Sequence, residues 1–186
     1  KSKVVRKLVL GIKAKLTAHQ VNIVTGEATI VDKNTIQCGG ETYECENLLL
    51  CTGSETFIPP IPGVENVDYW THRDALDNKE VPASLTIVGG GVIGMEFASF
   101  FNSMGVKVHI VEMMPEILGV MDKETSGMLR TEYTKRGVSF YLDTKVVEVQ
   151  PDRVVIEKGG KASAIETDKI LLSVGRKANL SNVGLG

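Results

Sequence analysis

The sequence predicts an α/β chain in which a parallel sheet with flanking helices is joined to antiparallel β-meanders. Three observations lead there. Residues 85–112 run from an apolar strand through a Gly-rich turn and an apolar helix to a second apolar strand. At Val21 the apolar residues change from a helical period to a period of two. Short β-patterned segments recur between residues 145 and 166, and a continuous apolar strand follows them. Strand–helix–strand order requires parallel pairing, whereas short strands joined by tight turns pair antiparallel.

Taken in order, residues 2–18 carry Val4, Val5, Leu8, Val9, Ile12 and Leu16 between Lys and Arg residues. That spacing predicts one helix with a buried stripe and a basic, solvated outer face. Val21–Val24, Ala28–Val31, Thr35–Cys38 and Thr42–Cys45 read as strands of a meander, turning at Asp32-Lys33-Asn34 and Gly39-Gly40. Asn47–Cys51 reads as a strand buried on both faces, ending at Thr52-Gly53-Ser54. Such a strand needs parallel neighbours, and without them the segment is expected to self-associate or rearrange. Pro59-Pro60-Ile61-Pro62-Gly63 stops regular structure and reads as a domain boundary.

Thr71-His72-Arg73-Asp74 has the form of a capping box opening a short helix. After the residue 85–112 unit, Asp122 can cap a helix to Arg136, stopped by Gly137. Strands are then expected at Val138–Tyr141, Lys145–Val149, Arg153–Glu157, Ala162–Glu166 and Lys169–Val174.

The composition excludes several classes. A net charge of −2 argues against nucleic acid as the main partner. No apolar run reaches membrane-spanning length and no signal-peptide pattern opens the chain, so no membrane partner is expected. Cys38, Cys45 and Cys51 make an odd set without zinc spacing, which points to a reducing, cytoplasmic compartment, and Cys45 and Cys51, on or beside an apolar strand, are expected to be buried free thiols. His19, His72 and His109 have no ligand spacing, so no metal site is expected. Ser54 and Ser173 lack a nucleophile elbow, and Trp70 reads as packing. The chain opens on Lys1 directly in helical periodicity and is expected to be a piece of a longer protein.

The chemistry lies in Gly89-x-Gly91-x-x-Gly94. The first glycine allows a tight turn off the strand, the second lets a pyrophosphate approach the backbone, and the third lets the helix sit close to the sheet. The helix beginning near Val92 then presents free N–H groups and a positive dipole end to the phosphates. Glu112 follows Gly89 by 23 residues, where a carboxylate can accept both hydroxyls of an adenosine ribose. It would repel a 2′-phosphate, and Met113-Met114-Pro115-Glu116 offers no Arg to receive one. The expected ligand is therefore NAD(H), not NADP(H).

The order Thr52-Gly53-Ser54, the proline segment, the glycine turn through Glu96, Val111-Glu112 and Ser173-Val174-Gly175-Arg176 resembles the pyridine-nucleotide disulfide oxidoreductases over essentially the whole chain. Within that family the segments 91–96, 112–118 and 174–176 are most similar to the dihydrolipoyl dehydrogenases. The resemblance implies a Rossmann-like FAD/NAD-binding fold in a homodimeric oxidoreductase of 2-oxo-acid dehydrogenase complexes. Electrons would pass from dihydrolipoyl groups through a disulfide and FAD to NAD⁺.

The same resemblance implies that Gly89, Gly90, Gly91, Val92, Ile93 and Gly94 hold the NAD pyrophosphate and Glu112 the ribose. Val146 and Gly175 would approach the dinucleotide from neighbouring loops, and Glu96 would meet the nicotinamide amide. Thr52, Gly53 and Ser54 would touch FAD, with Gly26 and Ala28 near its adenine. It implies a partial FAD-binding domain over residues 1–66, a NAD-binding domain over 67–174 and a return segment over 175–186.

The departures are a missing Gly-rich FAD fingerprint, Cys-x-x-x-x-Cys pair, final FAD motif, interface domain and His–Glu base pair. Cys38 and Cys45 have six residues between them and Cys45 and Cys51 have five, so neither pair fits. No catalytic residue is expected in these residues, and by themselves they are expected to be inactive. Another flavin disulfide reductase or NADH oxidase, or a non-catalytic NAD(H)-binding sensor, remains the alternative reading.

Overall fold

The computed structural model describes residues 1–181 and 183–185. The chain divides into two units, one built from Lys1–Gly53 and Asn179–Gly186, the other from Ser54–Ala178. The divisions thus fall at 53/54 and 178/179, and the proline segment belongs to the second unit. Residues 182 and 186 of the expected return segment lie outside the described residues.

The first unit opens with helix α1, Ser2–Ala18, where the spacing predicts it. The expected buried stripe is corrected: α1 has no buried residue, and Val4, Leu8 and Ile12 stand about 60% exposed (62%, 62% and 61%). Amphipathic spacing makes a face that can be covered but supplies nothing to cover it. Strands β1 (Ala28–Asp32), β2 (Thr35–Cys38) and β3 (Glu41–Glu44) form the antiparallel meander, with Ala28 opposite Cys38 and Ile36 opposite Tyr43. Asp32 turns the chain by accepting the Asn34 N–H at 2.8 Å. Two other expected strands do not form. Val21–Val24 and Asn47–Cys51 are irregular, and Leu49 is 84% exposed. An apolar run becomes a strand only when a ladder satisfies its backbone, and neither segment has one.

The second unit contains β4 (Ser54–Thr56), a 3-10 turn at Val64–Asn66, α2 (His72–Asp77), β5 (Ser84–Val88), α3 (Val92–Ser103), β6 (Lys107–Val111), α4 (Lys123–Lys135) and β7 (Ser139–Tyr141). It continues with β8 (Lys145–Gln150), β9 (Arg153–Lys158), β10 (Lys161–Glu166), β11 (Lys169–Leu172) and β12 (Arg176–Ala178). Both helix starts are capped as their sequences require. Thr71 and Asp74 form a capping box at α2, and Asp122 accepts from the N–H groups of Glu124 and Thr125 at α4.

Strands β11-β5-β6-β7 form a parallel sheet in that order, and β10-β9-β8 an antiparallel one. The fold is therefore the expected α/β arrangement. Strands β5, β6 and β11 are buried on both faces, which explains why they are mostly apolar, with Thr86 and His109 the polar residues inside. On one face Leu85, Ile87, Val108, Ile110 and Leu171 pack with Met95, Phe97, Ala98 and Phe101 of α3. On the other, Val88, Val111, Ile170 and Leu172 pack with Val146, Val149, Val154, Ile156 and Ile165 of β8–β10. Each of these large side chains, fully buried, contributes about 1.5–3 kcal/mol relative to exposure.

The proline segment closes this second core rather than linking loosely. Ile58, Ile61, Val64 and Val67 pack on it, and Pro62 accepts the Val149 N–H at 2.9 Å. An unforeseen ribbon, β4 against β12, joins the two ends of the unit, with Ser54 opposite Ala178.

Candidate functional site

The glycine turn leaves β5 at its C-terminal end, and each glycine meets a different constraint. Gly89 has φ +106°, and a Cβ there would lie 2.6 Å from the Ser173 carbonyl oxygen. A Cβ on Gly94 would lie 2.1 Å from the Gly89 carbonyl oxygen and 2.9 Å from Ser173 Oγ. Gly91 is the reverse case, with nothing within 4 Å of its Cβ position. Two positions closed by the protein's own backbone and one left open make the cradle that a pyrophosphate requires. Helix α3 begins immediately afterwards, with Gly91 as its N-cap and Val92 half exposed in the first turn. Ile93 packs against the core and aims the helix end.

Glu112 sits at the end of β6, half-buried, and its carboxylate reaches back to the turn. Oε2 accepts the Gly90 N–H at 2.7 Å and Oε1 accepts the Met114 N–H at 2.8 Å. Each oxygen retains acceptor capacity for a second donor such as a ribose hydroxyl. Beside it a cleft of about 700 Å³ opens along the C-terminal ends of β5 and β6. Gly89, Glu112 and Val146 line it, so three of the expected residues from three separate segments meet there.

The cleft's other walls carry no motif in the sequence. Phe57 precedes the proline segment and Pro62 belongs to it, Met113 and Met114 come from the loop after β6, and Lys145 from the start of β8. Lys145 is exposed and reaches the cleft because the neighbouring Thr144 N–H donates to the Glu112 carbonyl at 3.0 Å. Gly175 is exposed at φ +143°, and its carbonyl accepts the Phe57 N–H at 3.0 Å. Its neighbour Val174 reaches the cleft.

Glu96 does not join this group. It is exposed on α3 and lines a separate groove of about 440 Å³ with His72, Phe97 and Phe100. His72 is held below its ordinary pKa by partial burial and by the Arg176 guanidinium, and its Nδ1 lies 3.0 Å from Thr56 Oγ1.

The residues expected near FAD are Gly26, Ala28, Thr52, Gly53 and Ser54, and all are exposed. Thr52 and Gly53 belong to no strand, Ser54 opens β4, and its Oγ accepts from Arg176 Nε at 2.8 Å. Among the described residues of the first unit the one helix precedes the strands, and all pairing is antiparallel. Among the described residues of that unit no strand leads directly into a helix. Among the described residues no helix is long and apolar enough to cross a membrane, and no group of His, Cys, Asp or Glu is placed to hold a metal.

A parallel sheet, a closed–open–closed glycine turn and an acid returning to it define a dinucleotide-binding class of fold. The chain belongs to the pyridine nucleotide-disulphide oxidoreductase family, which it matches over residues 2–185. It is 38% identical over 192 residues to the dihydrolipoyl dehydrogenase of Acholeplasma laidlawii, covering 100% of this chain and 57% of that protein. It is 34% identical to that of Geobacillus stearothermophilus, covering 100% of this chain and 41% of the relative. A mercuric reductase of Staphylococcus aureus is 30% identical, covering 88% of this chain and 31% of its own length. Among solved structures, the HOCl-induced flavoprotein disulfide reductase RclA of Escherichia coli is similar with a TM-score of 0.70 and 28% identity, over 88% of this chain and 38% of that one. The chain therefore spans 57% or less of the length of these relatives.

Proposed function

We propose that this chain is the NAD(H)-binding portion of a NAD⁺-dependent dihydrolipoyl dehydrogenase. The observation that carries the reading is the glycine turn, closed at Gly89 and Gly94, open at Gly91 and joined through Gly90 to Glu112. The open position admits a pyrophosphate to the start of α3, where the helix dipole favours its charge. Glu112 accepts the ribose hydroxyls and repels a 2′-phosphate, while the apolar walls formed by Met113, Met114 and Pro62 suit an adenine ring. Within the whole enzyme FAD would supply the electron transfer between a redox-active disulfide and NAD⁺, with dihydrolipoyl groups of 2-oxo-acid dehydrogenase complexes as the source. The similarity to dihydrolipoyl dehydrogenases supports this substrate over mercuric ion, the substrate suggested by the second group of relatives.

Calorimetric titration with NADH and NADPH tests the reading. The expected result is saturable binding of NADH, much weaker binding of NADPH, and loss of the preference in Glu112→Ala. Equal affinity for the two nucleotides would refute the assigned role of Glu112. The chain itself is expected to give no turnover of dihydrolipoamide, since Cys38, Cys45 and Cys51 are all free and lack the redox spacing.

A further inference from the structure

The loop after β6, residues 113–121, has no regular structure yet holds the glycine turn from outside. Both backbone polar groups of Gly90 are taken. Its N–H donates to Glu112 Oε2 at 2.7 Å, and its carbonyl accepts the Leu118 N–H at 2.9 Å. Ile117 is fully buried, and its Cγ2 lies 3.0 Å from where a Gly90 Cβ would stand. Leu118 makes its bond from a left-handed backbone, φ +52°, a conformation that a residue with a Cβ adopts only when its surroundings hold it there.

One side chain anchors the loop to the neighbouring helix. Glu116 accepts its following N–H, that of Ile117, at 2.9 Å. Its two oxygens also accept Arg130 Nε at 2.8 Å and Nη2 at 3.0 Å, a two-pronged pair between the loop and the middle of α4. The Arg130 guanidinium holds the Glu116 carboxyl below the usual carboxylate range, so the pair is ionised at neutral pH. Planar two-point pairing fixes orientation as well as distance.

We propose that Glu116 and Arg130 are positioning residues for dinucleotide binding: their pair fixes Ile117 and Leu118 against Gly90 and so fixes the N–H groups that meet the pyrophosphate. Neither side chain lines the cleft, so both act through Gly90. The inference rests on the dinucleotide reading and extends it to residues outside the glycine motif. Preorganised donors bind an anion without the ordering cost that a loose turn imposes.

The test uses Arg130→Met, Glu116→Gln and Arg130→Lys in this chain, with two readouts. NADH affinity is expected to fall about fivefold in Arg130→Met and Glu116→Gln, the size of one well-oriented, partly exposed pair. Arg130→Lys, which keeps the charge but loses the second prong, is expected to fall between wild type and Arg130→Met. Amide hydrogen exchange in peptides spanning 88–93 is expected to quicken in the weakened variants, while β8–β10 keeps wild-type protection. Wild-type affinity in Arg130→Met overturns the proposal, and so does faster exchange spread evenly over residues 54–178. If the wild-type chain takes up no NADH, the dinucleotide reading fails and this role fails with it; the wild-type titration therefore separates the two failures.

Discussion

Gly91→Ala and Gly94→Ala add the same methyl group at positions three residues apart, and the structure assigns them opposite effects. At Gly94 the new Cβ would stand 2.1 Å from the Gly89 carbonyl oxygen, against backbone that cannot swing aside. Overpacking against fixed backbone lies at the upper end of its range, about 2–3 kcal/mol, and about 1 kcal/mol of helix propensity offsets it, for a net loss of about 1–2 kcal/mol. At Gly91 the Cβ meets nothing, and φ −72° is open to any residue. Its stability should stay within about 0.5 kcal/mol of wild type, since the weaker cap is offset by a stiffer unfolded chain. NADH affinity should nonetheless fall about tenfold or more in Gly91→Ala if, as proposed, the open space at Gly91 receives the pyrophosphate.

Urea denaturation followed by the chain's one tryptophan, Trp70, reads the second unit directly, since Trp70 is buried against Phe101 with ring centroids 5.8 Å apart. With a slope of about 2 kcal/mol/M, Gly94→Ala should lower the midpoint by about 0.5–1 M and Gly91→Ala should leave it nearly fixed. Equal midpoints for the two variants, or undiminished NADH binding by Gly91→Ala, would refute the reasoning.

Stability should fall as pH drops below about 6.5, the ordinary histidine value. Burial, aided by Lys107, lowers the pKa of His109, whose ring lies in the sheet beside Tyr141 with no hydrogen-bond partner on either nitrogen. The folded state thus favours neutral imidazole, giving full stability above the unfolded pKa and a progressive loss as pH falls toward the folded one. His72 shares that sign, and denaturation midpoints at pH 7.5 and 5.5 should converge partly in His109→Val. Gly63→Ala should cost about 2 kcal/mol or more in the same urea assay, because φ is +87° and its Cβ would stand 2.1 Å from the Val149 carbonyl oxygen. Light scattering should show concentration-dependent self-association through the exposed apolar residues of α1, weakened in the double variant Leu8→Glu, Ile12→Glu; a monomer at every concentration would refute this.

The second unit was legible because its signals are local. Residues 84–111 carry strand, turn and helix patterns within single windows, and the structure returns β5, α3 and β6 within a residue or two of expectation. Glu112 was legible as an acid ending a strand, but its bonds to Gly90 and Met114 were not, because they depend on how a loop folds back. The apolar segments Val21–Val24 and Asn47–Cys51 misled for the opposite reason. Composition favours a strand there, while a strand exists only where a second segment completes its ladder. The β4–β12 ribbon escaped because three polar residues contain no period, and their partners lie more than a hundred positions away. Phe57, Pro62 and Lys145 were missed as cleft walls because they meet only through that long-range closure.

The ribbon has a further bearing on how the polypeptide is assembled. The second unit is one uninterrupted stretch, Ser54–Ala178, spliced into a first unit whose sequence is broken in two. Its entry and exit strands run side by side, so it is an insertion with adjacent termini, the geometry that tolerates transplantation and circular permutation. During synthesis it can finish folding as soon as β12 has left the ribosome. The first unit must wait for the residues beyond Asn179, and when they arrive an already folded insert has brought the two ends of that wait together. The open-ended loop-closure cost of spanning the inserted stretch is then discharged by the insert's own stability.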